Sequence, residues 1–307
     1  MTITIGTRGS KLALWQAYYI EEKLKEAGAQ VEIKIIHTKG DKILDRSLSK
    51  IGSKGVFTEE LEDQLRSGEI DIAVHSAKDL QSSLDEDFEI IAFTEREEVN
   101  DVLVSHKELN MESSFTVGTS STRRVAMLKA FYPHINIVDM RGNLQTRIGK
   151  MEAGDCDALL LAYAGVHRMS YHDKIKEKLP VKRFTPAVGQ GSVAVESSVN
   201  LDKEKRELII HACNHPLTEI CLRAERSFLK EINGGCSIPV FGYCNWFDDY
   251  LLELNAGIVS LDGKKIIRVS TLLDDPEQLG IDTAKKLMDQ GGREILKEIR
   301  DQLNSAL

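Results

Sequence analysis

The opening of the chain alternates between two periodicities. Thr2–Gly6 alternates apolar and polar positions as a strand does, and Lys11–Ala27 carries Leu12, Trp15, Tyr19 and Leu24 at helical spacing before stopping at Gly28. Val31–His37 is rich in β-branched residues and predicts a second strand. Phe57–Arg66 predicts a helix closed near Gly68, and Ile70–Val74 the next strand. Between them, Thr38 to Gly55 is polar, with three glycines and four lysines. A segment of that length inside a compact domain is expected to be a lid, a binding loop or disordered.

The middle of the chain echoes this pattern. Gly6-Thr7 precedes a helix, and so does Gly118-Thr119; Gly68-Glu69-Ile70-Asp71 leads into an apolar strand, and so does Gly154-Asp155-Cys156-Asp157. The landmarks lie 62 residues apart in the first copy and 36 in the second, a difference of the order of the polar loop. The expectation is two related α/β domains, the first carrying an insertion. After residue 213 the pattern changes. Glu219–Ile232 predicts a helix, and strand-like runs follow at Pro239–Cys244, Leu251–Ser260 and Lys264–Thr271, the last two joined through the hairpin signal Asp262-Gly263. A helix from about Glu277 to Leu303 closes the chain. This third unit reads as α+β with an antiparallel sheet.

Composition narrows the class. A chain of 307 residues, 42% of them hydrophobic, has room for two or three domains with real cores. Forty Lys and Arg against 48 Asp and Glu give a net charge of −8, which excludes a general nucleic-acid binder. No run approaches the ~18 apolar residues of a membrane span. The start, MTITIGTRGS, lacks the order of a signal peptide, so a cytoplasmic protein is expected. The five cysteines are odd in number and without Cys-x-x-Cys spacing, which argues against both a disulfide framework and zinc. Four read as packing residues. Cys236 follows two glycines at a helix-to-strand turn, where an exposed thiol favours reactivity or covalent attachment.

Against the acidic total, cations gather at predicted strand ends. Arg8 and Lys11 lie in Gly6-Thr7-Arg8-Gly9-Ser10-Lys11, Lys54 in the polar loop, and Lys78 after the strand in His75-Ser76-Ala77-Lys78-Asp79. Arg123 and Arg124 follow Gly118-Thr119-Ser120-Ser121-Thr122, Arg141 follows the strand Ile135–Asp139, and Arg147 lies a turn into the helix beginning near Asn143. Loops after the strands of an open α/β sheet share one edge, and helix starts there favour anions. One such residue is ordinary surface charge; eight at one edge of an acidic protein point to a multiply anionic ligand between two domains. Asp79 breaks the pattern. It is either a turn residue or, in a cationic pocket, a partner for positive charge on the ligand or an acid/base group. His75 and His37, each beside a strand, read as structural.

At these residues the sequence resembles the porphobilinogen deaminase (hydroxymethylbilane synthase) family of tetrapyrrole biosynthesis. The matches are Gly6-Thr7-Arg8-Gly9-Ser10-Lys11-Leu12-Ala13, Lys54-Gly55 with Phe57, Val74-His75-Ser76-Ala77-Lys78-Asp79, Gly118 to Arg124, Arg141-Gly142-Asn143 with Thr146-Arg147, Pro186 to Gly191, and Asn233-Gly234-Gly235-Cys236 with Pro239-Val240. The resemblance implies an α/β fold of two periplasmic-binding-protein-like lobes with mixed sheets, residues 1–96 with 190–212 and residues 97–189, plus a smaller α+β domain over 213–307. It implies a monomer with a dipyrromethane cofactor on Cys236, extended by four porphobilinogen units and released as 1-hydroxymethylbilane. Asp79 resembles the family's aspartate that stabilises pyrrole cations. Arg8, Arg123, Arg124, Arg141 and Arg147 would grip carboxylates, with Ser10, Lys54, Ser76, Lys78, Thr119, Ser120, Ser121 and Gln190 assisting and Phe57 placed to stack on a pyrrole. Two departures stand out: Leu80-Gln81 where the family has an apolar residue then proline, and Glu97-Glu98-Val99-Asn100-Asp101 without the usual proline and arginine. The rival readings are a solute-binding or effector-binding module and a thiol-dependent enzyme acting on a phosphorylated substrate.

Overall fold

The computed structural model describes residues 1–38, 58–235 and 237–305. Lys54, Phe57, Cys236 and nearly all of the polar loop lie outside the described residues. The first sheet opens with β1 (Thr2–Arg8), crosses through α1 (Lys11–Glu26) to β2 (Gln30–Ile36), and continues through α2 (Glu59–Ser67), β3 (Ile72–Ser76) and β4 (Phe88–Phe93). The chain then builds a second sheet from β5 (Asp101–Val104), β6 (Thr116–Gly118), α3 (Thr122–Phe131), β7 (Asn136–Val138), α4 (Leu144–Glu152), β8 (Ala158–Ala162), α5 (Tyr163–Arg168) and β9 (Ile175–Lys178). It returns to the first as β10 (Val193–Ser198) and α6 (Lys203–Cys213).

The sheet orders are β2-β1-β3-β10-β4 and β7-β6-β8-β5-β9. In each, the strand arriving from the other lobe is the antiparallel one and lies between the third parallel strand and the edge. Two segments, 94–100 and 179–192, therefore connect the lobes. The echo seen in the sequence is a shared turn: Gly68 and Gly154 both adopt positive φ, and Asp71 and Asp157 accept from the backbone N–H of Thr4 (2.8 Å) and Thr116 (2.9 Å). That clamp explains why β3 begins at Ile72 rather than Ile70.

Burial follows the strand faces. Ile3, Ile5, Ile72, Val74, Val193 and Val195 pack one face of the first sheet against Ala17, Ile20 and Leu24 of α1 and Ile209 of α6. β8 reads Ala-Leu-Leu-Leu-Ala and is buried throughout, as expected of a strand covered on both faces.

The third unit has α7 (Pro216–Glu231), the antiparallel sheet β11 (Val240–Trp246), β12 (Leu252–Val259) and β13 (Ile266–Leu273), then α8 (Pro276–Leu287) and α9 (Arg293–Ser305). α7 starts a turn earlier than its apolar spacing predicts, because Pro216 suits the first helical position and His215 caps it. The single closing helix is corrected to two. A π turn over Met288–Gly292 places Gly291 at φ +100°, which a side chain resists. Among the described residues no helix is long and apolar enough to cross a membrane.

Candidate functional site in the cleft between the lobes

In the first lobe, β1 ends at Arg8 and Ser10 caps α1, its Oγ accepting from Ala13 N (3.3 Å). Ser76 ends β3 and accepts from Gln16 Nε2 (2.7 Å). A single 3-10 turn, Ala77–Asp79, then presents a half-buried Lys78 and an exposed Asp79. The second connecting segment lies on this turn. A Cβ on Gly189 would stand 2.8 Å from the Ala77 carbonyl carbon and 2.9 Å from Lys78 N, so only glycine fits there, at φ +77°.

In the second lobe, Ser121 caps α3, Ser120 donates to Met140 O (2.6 Å), and Thr119 Oγ1 accepts from Ser121 N (3.3 Å). Three hydroxyls predicted to assist a ligand thus have local backbone duties. Arg123 and Arg124 turn inward, 5% and 6% exposed, onto a fully buried carboxylate. Arg123 Nη2 lies 2.8 Å from Asp101 Oδ2, and Arg124 meets Oδ1 through Nε (3.0 Å) and Nη2 (2.8 Å). Gln190 Nε2 also donates to Asp101 (3.1 Å), while its backbone carbonyl accepts from Arg96 Nε (2.9 Å). Arg96 in turn forms a bidentate pair with buried Glu225 of α7 (2.6 and 3.1 Å). Gln190 therefore bridges two buried ion-pair nodes where the three units meet. Arg141 pairs with Asp139 (2.9 Å), and Arg147 Nε donates to Gly142 O (2.7 Å).

Electrostatics separates these cations into two groups. Burial works against the Asp101 carboxylate, yet Arg123 and Arg124 overcome it and hold the group down to about 2. Lys78, Arg147 and Arg168 have no such counter-charge: among the described residues no carboxylate lies within ion-pair distance of any of them. Burial, then repulsion from Arg124, pushes Lys78 down to about 8, with Asp79 and Asp101 offsetting part of the cost. The same burial and the same Arg124 lower Arg147, again against Asp79. Lys78, Asp79 and Arg147 thus share one electrostatic neighbourhood across the cleft.

Arg168 escaped the sequence reading. It ends α5, whose residues separate it from β8, so it does not directly follow a strand. It donates to Gly191 O (2.7 Å), and its guanidinium sits 5.1 Å from the Trp15 ring centroid. Burial lowers its pKa as well. Asp101 escaped too, because its two arginines are more than twenty positions away. The arrangement offers a carboxylate among cations whose charge is costly until an anion arrives.

The family profile described as "Porphobilinogen deaminase, dipyromethane cofactor binding domain" matches residues 3–206, and "Porphobilinogen deaminase, C-terminal domain" matches residues 219–289. The chain belongs to the porphobilinogen deaminase family. Porphobilinogen deaminase of Cytophaga hutchinsonii is 56% identical over 311 residues, covering 99% of each chain, and that of Desulfosudis oleivorans is 52% identical over 309 residues, covering 98% of this chain and 99% of the other. Among solved structures, the periplasmic VFT2 domain of Bordetella pertussis BvgS aligns with 69% of this chain and 86% of its own, at TM-score 0.43 and 14% identity. The porphobilinogen deaminase assignment makes the chain a transferase and its first 206 residues the home of a dipyrromethane cofactor-binding domain. The cleft suits such a group: pyrrole rings carrying acetate and propionate match cations that have no paired carboxylate among the described residues. Both departures from the porphobilinogen deaminase pattern have local partners. Gln81 Nε2 reaches Thr58 Oγ1 (3.3 Å) and Glu62 Oε1 (3.5 Å), and Glu97 of the connecting segment meets His167 Nδ1 of the second lobe (2.8 Å).

Proposed function

We propose that this chain joins four porphobilinogen molecules head to tail onto a dipyrromethane held by a thioether to Cys236, and releases 1-hydroxymethylbilane by hydrolysis. The observation that carries the reading is the trio Lys78, Arg147 and Arg168, cationic, largely buried and without paired carboxylates among the described residues, with Lys78 and Arg147 in the electrostatic neighbourhood of Asp79. When bound, the dipyrromethane supplies the free pyrrole α-carbon from which the chain is extended.

The protein's own residues do the rest. Arg147, Arg168 and Lys78 hold ring carboxylates, helped by Arg8, Arg141 and the α1 and α3 starts with Ser10, Thr119, Ser120 and Ser121. Each charged hydrogen bond is worth about 1.5–3 kcal/mol. Arg123 and Arg124, neutralised in part by Asp101, act as fixed positive charge behind the site, with Gln190 bracing them. Ammonia leaves the substrate's aminomethyl carbon, and the positive charge that develops on the ring nitrogen is met by the Asp79 carboxylate. Lys54 would assist in holding ring carboxylates and Phe57 would stack on a pyrrole, as the family resemblance implies. Residues 1–96 with 190–212, 97–189 and 213–307 form the three domains, in keeping with the sheet memberships.

Intact mass and turnover test the reading. Purified protein should carry the mass of two linked pyrroles, lost in Cys236→Ser together with turnover of porphobilinogen. Unmodified, folded protein that still turns porphobilinogen over would overturn the covalent cofactor.

A further inference from the structure

Glu196 of β10 is wholly buried in the face of the first sheet that carries α2 and α7. Neither of its oxygens has a well-aligned hydrogen-bond donor among the described residues. Three ionisable side chains bear on it: His75 in contact, the Glu62 carboxylate of α2, and Arg226, which lies beyond ion-pair distance. His75 Nε2, 6% exposed, lies 3.0 Å from Glu196 Oε2. The Arg226 guanidinium of α7 is half-buried, and Glu196 is the charge that offsets its desolvation. Arg226 also donates through Nη2 to the Gln81 carbonyl (3.0 Å).

These contacts bracket the Asp79 turn. His75 stands four residues before Asp79 and Gln81 two after it, so one end of the turn is tied to the Glu196 carboxylate and the other to the Arg226 guanidinium, whose charges act on each other through the buried space between them. The same Arg226 lies ten residues before Cys236, on the helix that ends at Glu231 and runs into Asn233-Gly234-Gly235. Leu222, one turn before Arg226, packs against Ala77, Leu80 and Ala194, which places this helix face directly beneath the turn. A buried charge with one close partner and a second, more distant counter-charge on another segment is expensive to disturb from either side, which suits it to fixing geometry.

We infer that Glu196, with His75 and Arg226, is a positioning node that registers the Asp79 turn against the helix leading to Cys236. It rests on the proposed function in giving those two residues their chemistry, while the coupling itself is a property of the fold. None of the three is a catalytic residue: they act by holding Asp79 and the cofactor loop in mutual register, which the growing chain requires.

The test uses full-length holoenzyme with Glu196→Gln, Arg226→Gln and the double variant, with Arg226→Lys as the conservative control. Each single change should lower kcat roughly tenfold to a hundredfold with KM within about twofold, and the double variant should be no worse than the poorer single. Arg226→Lys should recover most of kcat. Hydrogen exchange should rise together at residues 77–81 and 230–235 in both single variants. Additive losses in kcat, or exchange that rises in only one of the two segments, would overturn the node. If Glu196→Gln is too unstable to load cofactor, the Arg226 pair alone decides the outcome by the same exchange readout. Wild-type protein that turns over no porphobilinogen would defeat the proposed function, and coupled exchange would still support the node.

Discussion

The two lobes share a strand order, a glycine turn and an aspartate clamp, yet they treat charge in opposite ways. The pairings Val193↔Ser76 and Asp101↔Ala162 set the lobes in register, so that Asp79 corresponds to Gly165 and Asp101 to Val193. Each lobe therefore has one aspartate where the other has none. In the first lobe it is exposed at the cleft, beside a lysine with no carboxylate at ion-pair distance among the described residues. In the second it is fully buried and consumed by two arginines. On the proposed function the same residue type meets developing positive charge in one lobe and is a structural counter-ion in the other, and burial decides which.

Exchanging each aspartate for a neutral residue should separate these roles. Asp79→Ala removes the carboxylate that faces developing positive charge, so kcat should fall by about 10²–10³-fold or more, as when one preorganised group of a charge-stabilising site is lost. The urea midpoint should stay unchanged, because the side chain is exposed. Asp101→Asn should invert the pattern. Leaving Arg123 and Arg124 buried against a neutral amide costs about 3–5 kcal/mol, visible in the denaturant midpoint. Wild-type stability in Asp101→Asn, or a large midpoint shift in Asp79→Ala, would break the comparison.

Much of this division was legible in the chain, but unevenly. The paired lobes showed through because their landmarks are local: a positive-φ glycine and an aspartate three residues on form one turn in each copy. Lys78 and Asp79 were visible because they directly follow a strand. The partnership of Arg123 and Arg124 with Asp101 was not, since it spans β5 and α3 and depends on how the second sheet is ordered. The hydroxyls of Ser120 and Ser121, proposed to assist at the ligand, also serve Met140 O and the start of α3, duties that depend on the folded turn. The break at Gly291 was hidden because the flanking helices keep a common apolar spacing, and a glycine within such a pattern marks a break only once its φ is known.

The arginines sharpen the comparison at smaller scale. Among the described residues Arg147 is held by a backbone bond and has no paired carboxylate, whereas Arg124 is paired with Asp101. Arg147→Leu should raise the KM for porphobilinogen, or slow chain extension, by roughly ten- to a hundredfold, the worth of one charged hydrogen bond. Stability should hold or improve, because burial disfavours the Arg147 charge in the free protein. A loss of stability without any kinetic change would place Arg147 with Arg124 as a structural cation.

Lys78 offers the finest distinction, through protons. Its ammonium titrates at about 8 in the folded protein against 10.5 ordinarily, so the free site starts to lose this cation just above neutral pH. The lowered value also means that the charged lysine costs the folded state below about pH 8, a cost that fades as pH rises toward 10.5. A bound carboxylate favours the ammonium and pulls the value back up. Binding near pH 8 must therefore take up a fraction of a proton, and at pH 6 it must not. Calorimetric titration of porphobilinogen in two buffers of different ionisation enthalpy measures that uptake directly. Lys78→Met should abolish it, and Lys78→Arg should abolish it while keeping affinity at pH 9. Uptake that persists in Lys78→Met would assign the proton to another group and leave the first lobe's cation as fixed as those around Asp101.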